Sequence, residues 1–298
     1  MKDTTPPSEH SESRILIEHA LEMARQLNIS KLIVHANQKL DRKIIEKCRG
    51  DAKVIWLTRT AKPFAVRARS RNMRIALPEA PISRNQQVSL GLFISVVRGF
   101  LGLDESVLCL TSAIGSERVD SLVIANPRRD APWLAEKSLR GARGRMATNE
   151  FARLLQIALQ FAREGREGRD IGTVFVLGDV RALRPYVRQL VLNPCAGHSR
   201  SLRNIHNSEF LESLRELTAL DGAFIVNTRG VVESAGTYLN VSGKAQGLRP
   251  GWGARHTAAA LITARTKSVA IAISQSSDNV TVFLGGRAIL EMEQGTEG

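Results

Sequence analysis

The sequence predicts an α/β protein of two successive layered domains, and three observations carry that prediction. Short, near-continuous apolar runs such as KLIVHA (31–36) and KVIWLT (53–58) alternate with segments whose apolar residues recur at helical spacing. A second set of β-rich runs, TVFVLGD (173–179), VAIAIS (269–274) and NVTVFL (279–284), follows a connection rich in Arg, Ala and Gly. At 298 residues the chain is long enough to bury a core in each half.

Taken in order, the polar opening MKDTTPPSEHSES lacks the apolar core of a leader peptide, and residues 1–12 are expected to form a disordered tail. Ile15, Leu16, His19, Ala20, Met23 and Leu27 then recur at helical intervals. KLIVHA and KVIWLT read as buried strands on either side of a helix over 41–49. MRIAL (73–77), SVLCLTS (106–112) and DSLVIAN (120–126) add three more strands, and a buried helix is expected over 86–102. This alternation predicts a parallel, helix-covered sheet over residues 13–130. His35 follows the first strand, where a packed histidine outweighs a ligand. Arg67, Arg69, Arg71 and Arg74 form a basic run that could hold phosphate or be a solvated loop, and it is left unassigned. No Walker loop or GxGxxG occurs here.

Residues 131–150 are expected to be a linker, with a helix from Phe151 to Arg163 opening the second domain at 131–298. GREGRD is a loop, and Asp179 after TVFVLGD reads as turn chemistry. LVLNP (190–194) is closed by Pro194, and the spacing of His198 and His206 beyond it matches no metal-ligand pair. An amphipathic helix over 208–219 delivers the chain to Asp221. A hairpin follows: Phe224–Val226 and Val231–Val232 are the β-rich arms, with Asn227, Thr228 and Gly230 between them. GWGARHTAAA then reads as a loop entering a helix, with Gly251 and Gly253 allowing unusual backbone angles and an Ala-rich run from Ala258 favouring helix. The end of the chain supplies two strands and a last hairpin at Gly285-Gly286, giving a mixed sheet flanked by helices.

Composition narrows the function classes. No run of about eighteen apolar residues exists, so no membrane span is expected. Cys48, Cys109 and Cys195 are too scattered for a disulfide framework or zinc site, which points to a reducing cytoplasm. The net charge is +13, of which +9 falls in residues 1–150. Such a balance attracts polyanions in general and leaves nucleic acid open as a partner, although no nucleic-acid-binding motif supports it.

The chemistry concentrates at Leu220–Ala260. Arg255 and His256 stand where a helix begins and free N–H groups and the helix dipole attract anions, while Asp221 opens a strand. One carboxylate and a cationic pair are the parts that a metal-bound polyphosphate needs. The motifs Asp221-Gly222-Ala223 and Gly253-Ala254-Arg255-His256-Thr257-Ala258-Ala259 resemble those of the diadenylate cyclases, whose catalytic domain also occurs in DNA-integrity scanning proteins. The likeness continues, in order, through FARLLQIALQFAREGREGRDIG, TVFVLGD, LVLNPCAGH and SVAIAISQSSDNVTVFLGGRAIL. The first half resembles, more weakly, the C-terminal domain of pyruvate kinase, which some archaeal-type diadenylate cyclases carry ahead of the catalytic domain.

That resemblance implies condensation of two ATP molecules into cyclic di-AMP, with release of two pyrophosphates and a divalent metal, Mn or Mg. It implies that Asp221 holds the metal, and that Arg255 and His256 hold phosphate oxygens. Gly222, Ala223, Gly253 and Ala254 would bring backbone close to the nucleotide, Leu239 would contact adenine, and Thr257 and Ser274 would add hydroxyls near the triphosphate. It further implies a homo-oligomer with a face-to-face catalytic dimer, since one domain offers one ATP site. Gln275 departs from the family pattern, in which an acid follows the serine, and this opens the alternative of an inactive module that binds ATP or cyclic di-AMP. A nucleic-acid-binding regulator is the other alternative.

Overall fold

The computed structural model describes residues 9–35, 43, 45, 50, 52–59, 67–69, 72–77, 83–113, 116, 118–131, 134, 149–243 and 252–292. The chain divides into two compact units, Met1–Leu134 and Ala135–Gly298. The linker expected over 131–150 lies mostly outside the described residues, as do Gly251, Arg71, Cys48 and most of the helix expected over 41–49.

In the first unit, α1 (Glu9–Gln26) begins inside the stretch expected to be a tail. Residues 9–12 are polar but hold no proline, so nothing in them stops the helix from extending back from its apolar stripe. The strands are β1 (Lys31–His35), β2 (Lys53–Arg59), β3 (Arg67–Arg69), β4 (Asn72–Leu77), β5 (Val107–Thr111) and β6 (Ser121–Ala125), in the order β3-β4-β2-β1-β5-β6. Strands β4, β2, β1 and β5 are parallel, as the apolar runs predict. The two edges depart from the all-parallel expectation: β3 pairs antiparallel with β4, and β6 with β5. Their connections are too short for a crossover helix, and short connections permit only antiparallel neighbours.

Ile17, Ala20, Leu21 and Ala24 of α1 pack on Leu32, Val34, Trp56, Leu108 and Leu110. Each of the larger side chains contributes roughly 1.5–3 kcal/mol by leaving water. The opposite face meets α2 (Arg84–Val97), whose N-terminus carries a capping box between Ser83 and Gln86. Gly91 brings this helix onto the sheet, since a Cβ there would stand 2.9 Å from Ile33 Cγ2. His35 is the packed histidine expected, with Nε2 3.0 Å from the Gln87 carbonyl. A short α3 (Pro127–Asp130) follows β6.

The second unit contains α4 (Asn149–Glu164), β7 (Thr173–Gly178), α5 (Val180–Leu183), β8 (Val187–Gln189), α6 (Ser208–Glu216), β9 (Ala223–Asn227), β10 (Val232–Leu239), α7 (Ala254–Arg265), β11 (Val269–Ile273), β12 (Val280–Leu284) and β13 (Arg287–Met292). The sheet is mixed, with order β13-β12-β11-β7-β9-β10-β8; β7 and β9 are parallel and every other pairing is antiparallel. On one face Phe161 of α4 lies 6.4 Å from Phe175, which stacks on Phe224 at 5.0 Å. On the other, Ala259, Ala260 and Ile262 of α7 pack on Val174, Val176, Ile225, Ala270 and Ala272. Alanine on this helix face lets α7 lie close to the sheet.

Two turns follow the sequence chemistry. Asn227 Oδ1 accepts from the N–H groups of Arg229 (2.8 Å) and Val231 (3.1 Å), and Gly230 takes φ +77°. Asp179 caps α5 by accepting from the Arg181 N–H at 3.0 Å.

Candidate active site

Strand register decides which residues meet. Val174 of β7 pairs with Ala223 of β9, and Thr173 pairs with Ile273 of β11. Because β7 and β9 are parallel and β11 runs against them, the starts of the first two and the end of the third share one end of the sheet. Gly172, Asp221-Gly222 and Ser274-Gln275 therefore stand side by side there, and α7 delivers Arg255 to the same place.

The Arg255 guanidinium spans this row. Its Nη2 lies 3.9 Å from Asp221 Oδ1, and its Nη1 donates to Gln275 Oε1 at 3.3 Å. The Asp221 side chain is 88% exposed, so its carboxylate stays open to an incoming ligand. Its Oδ1 also accepts the Gly222 N–H at 3.0 Å, which fixes the carboxylate against its own backbone.

Gly222 has a backbone reason to be glycine. It takes φ +109°, and a Cβ would meet the Thr237 amide nitrogen at 2.7 Å and the Gly236 carbonyl carbon at 2.9 Å. Gly253 does not. At φ −83° and ψ −168° it holds ordinary extended backbone, which corrects the expectation of unusual angles at this position. With no side-chain cap at Gly253, the first N–H groups of α7 keep their donors.

His256 and Arg255 differ in environment. The imidazole is buried, stacked on Trp252 at 5.2 Å and set edge-on to Phe283 at 6.0 Å. Burial, reinforced by the neighbouring Arg255 charge, pushes its pKa below the usual histidine value, so the ring is neutral at neutral pH. Arg255 is thus the cation of the pair.

The remaining residues fall as follows. Ala223 is buried at the start of β9, and Ala254 is exposed in the first turn of α7. Thr257 Oγ1 donates back to the Gly253 carbonyl at 3.2 Å. Leu239 is 7% exposed and packs into the core against Tyr186 and Val187. Ser274 Oγ accepts from Ser277 Oγ at 2.9 Å in the β11–β12 turn. In that turn Asp278 holds φ +52°; burial and the nearby Asp170 raise its pKa.

His198 lies against α6 in a concavity of about 690 Å³ that neither Asp221 nor Arg255 lines. Among the described residues no group of three or more His, Cys, Asp or Glu side chains is placed to hold a metal ion. The exposed Asp221 carboxylate is the side-chain oxygen at this end of the sheet that could hold a hard cation, since the Gln275 amide oxygen accepts from Arg255; one carboxylate suits a cation that takes its other ligands from outside the protein, not a closed protein cage. Sequence reasoning missed Gly172, whose significance depends on what β7 lies next to. No helix among the described residues is long and apolar enough to cross a membrane.

Residues 160–288 match the family described as DisA bacterial checkpoint controller nucleotide-binding. These are the residues that build the end of the sheet around Asp221 and Arg255. The chain is also similar to curated diadenylate cyclases. The chain is 33% identical over 176 residues to a diadenylate cyclase of Methanocaldococcus jannaschii, covering 59% of this chain and 56% of that one. It is 32% identical over 140 residues to a diadenylate cyclase of Haloferax volcanii, covering 47% of this chain and 51% of that one. The chain thus spans about half the length of these relatives. A solved structure of DacA from Staphylococcus aureus aligns with 49% of this chain and 87% of its own, at 18% identity and a TM-score of 0.34.

Proposed function

We propose that this chain belongs to the diadenylate cyclase family, and that it condenses two ATP molecules into cyclic di-AMP and releases two pyrophosphates. The observation that carries this reading is the convergence of Asp221, Arg255 and Gln275 across three strands, with the Arg255 guanidinium 3.9 Å from the Asp221 carboxylate. A lone acid beside a cation at an open helix start suits a polyanion better than it suits structure, since so exposed a pair adds little stability.

Each chain residue has a task in that reaction. Phosphoryl transfer of this kind depends on positioning and on neutralising charge. Arg255 offers its planar fork to phosphate oxygens, and the first N–H groups of α7 add partial positive charge beside it. Asp221 would hold a divalent cation, Mn or Mg, near the attacking 3′-hydroxyl. Such a cation supplies charge neutralisation and polarisation of the phosphate or hydroxyl. Gly222, Ala223, Gly253 and Ala254 present backbone to the nucleotide; Thr257 and Ser274 add hydroxyls, and Leu239 borders the adenine. His256, neutral and buried, orders the start of α7 and completes the phosphate site without adding charge.

One unit offers one such row of residues, whereas the reaction joins two nucleotides head to tail. The catalytic assembly is therefore a face-to-face dimer, in which the same patch meets itself across a two-fold axis. The first unit, with its likeness to the pyruvate kinase C-terminal domain, serves regulation or oligomerisation.

The test is incubation with ATP and manganese or magnesium, with product read by mass spectrometry. Cyclic di-AMP from the wild-type chain and none from Asp221→Asn is the expected result. A second reading, a module that binds ATP or cyclic di-AMP without turnover, rests on Gln275 standing where the family has an acid. Nucleotide binding with no product over a range of metals would favour it.

A further inference from the structure

We propose that Gly172 and Gln275 are positioning residues for Arg255, and that they leave the guanidinium charge free for the substrate triphosphate. The inference rests on the nucleotide reading of this end of the sheet and adds two residues to it.

Gly172 immediately precedes β7, the strand between β9 and β11. Arg255 must therefore cross above Gly172 to lie near both Asp221 of the β9 side and Gln275 of the β11 side. A Cβ built on Gly172 would stand 2.5 Å from Arg255 Nη1, 3.1 Å from its Cζ and 2.7 Å from Gln275 Cβ. The absence of a side chain at 172 is what makes the crossing possible. Backbone conformation does not demand this glycine, because its φ lies outside the left-handed region occupied by Gly222 and Gly230. The requirement is space, set by the guanidinium.

Gln275 supplies the anchor. Its amide oxygen accepts from Nη1 at 3.3 Å, and being uncharged it orients the fork without cancelling its charge. A carboxylate at 275 would hold the same nitrogen more tightly and neutralise it. Arg255 would then face the triphosphate as one half of an ion pair, with Asp221 already on its other side. The amide at 275 thus has a positive role in this chain beyond the loss of an acid.

The experiment compares Gly172→Ala and Gln275→Glu with the wild-type full chain. It reads affinity for a fluorescent ATP analogue in EDTA, then KM and kcat with metal, and checks folding by circular dichroism and thermal melting. In EDTA the direct contribution of a cation is removed, so affinity reports the guanidinium. The expected result is affinity at least about fivefold weaker for each variant (about 1 kcal/mol or more), with Gly172→Ala keeping the wild-type circular dichroism spectrum. For Gln275→Glu the loss should shrink as salt rises, because the new ion pair is screened. Wild-type affinity in a folded Gly172→Ala would overturn the proposal. Should Gly172→Ala not fold, Gln275→Glu decides alone, and unchanged or tighter binding would overturn it. A wild-type chain that binds the analogue but yields no cyclic di-AMP removes the cyclase reading; weakened binding in the variants would still uphold the seat of Arg255.

Discussion

The two sheets of this molecule use parallel pairing to different ends. In the first unit four parallel strands run side by side, so the starts of these four lie at one end and their finishes at the other, and the reversals are confined to the edge strands β3 and β6. In the second unit the parallel pair β7–β9 sits inside an antiparallel sheet, and two starts meet one finish at the same end. Residues that follow a strand and residues that precede one are thereby brought together. That is how an acid before β9, a glycine before β7 and an amide after β11 come to surround one arginine. The difference teaches that the mixed sheet is a way of assembling a site from sequence segments about fifty residues apart.

This contrast can be broken from either side. The largest effect is expected from Asp221→Asn, which keeps the shape and removes the charge. Product should fall at least about a hundredfold while the melting temperature stays near wild type, because the side chain is exposed and its ion pair is long. Gly222→Ala should instead strike structure as well as activity. A side chain at φ +109° against the backbone of residues 236 and 237 is expected to cost about 3 kcal/mol, read by denaturant unfolding.

The first sheet offers the matching control. Gln87 donates to the Ser112 carbonyl at 2.8 Å and accepts the Ser112 N–H at 3.1 Å, joining α2 to the end of β5. Gln87→Ala leaves both buried backbone groups without that partner and should destabilise the first unit by about 2 kcal/mol. Hydrogen exchange should show the loss in α2 and β5 and leave β7 and β9 protected.

Two smaller effects concern pH. His256 has its folded pKa below its unfolded value, so the unfolded chain binds the proton more readily. Its contribution to stability is complete above about pH 6.5 and is lost as pH falls through the folded pKa. His256→Phe should flatten that part of the stability profile. Asp278 has the opposite sign for a carboxyl: its folded pKa is raised, so ionisation at neutral pH works against the fold. Asp278→Asn, which also tolerates the left-handed backbone at this position, should raise the melting temperature slightly at pH 7, with the gain shrinking as pH falls into the carboxylate range.

The elements themselves were readable from the sequence wherever a local signal was strong. Five buried residues in a row at 269–273, the Asn227–Gly230 turn and the apolar stripe of α4 each announced their structure. The antiparallel edges of the first sheet were missed for two reasons: β3 is the Arg-rich Arg67–Arg69, which carries no apolar strand signal, and the apolar run of β6 does not mark its direction, which only its short connection to β5 reveals. Asp221 and Arg255 stood out because charged residues at a strand start and a helix start have recognisable chemistry. Gly172 did not, since a glycine made necessary by a distant arginine leaves no pattern in its own neighbourhood. The lowered pKa of His256 was equally hidden; burial is its first cause and the Arg255 charge its second, and Phe283, which packs on the ring, arrives from β12, well beyond the motif.

The central claim is that the end of the second sheet around Asp221 and Arg255 joins two nucleotides. Mass spectrometry of the wild-type chain and of Asp221→Asn after incubation with ATP and manganese tests it most directly. The account predicts cyclic di-AMP and pyrophosphate from the wild type alone. Equal product from the variant, or none from the wild-type chain with any divalent metal, would contradict it.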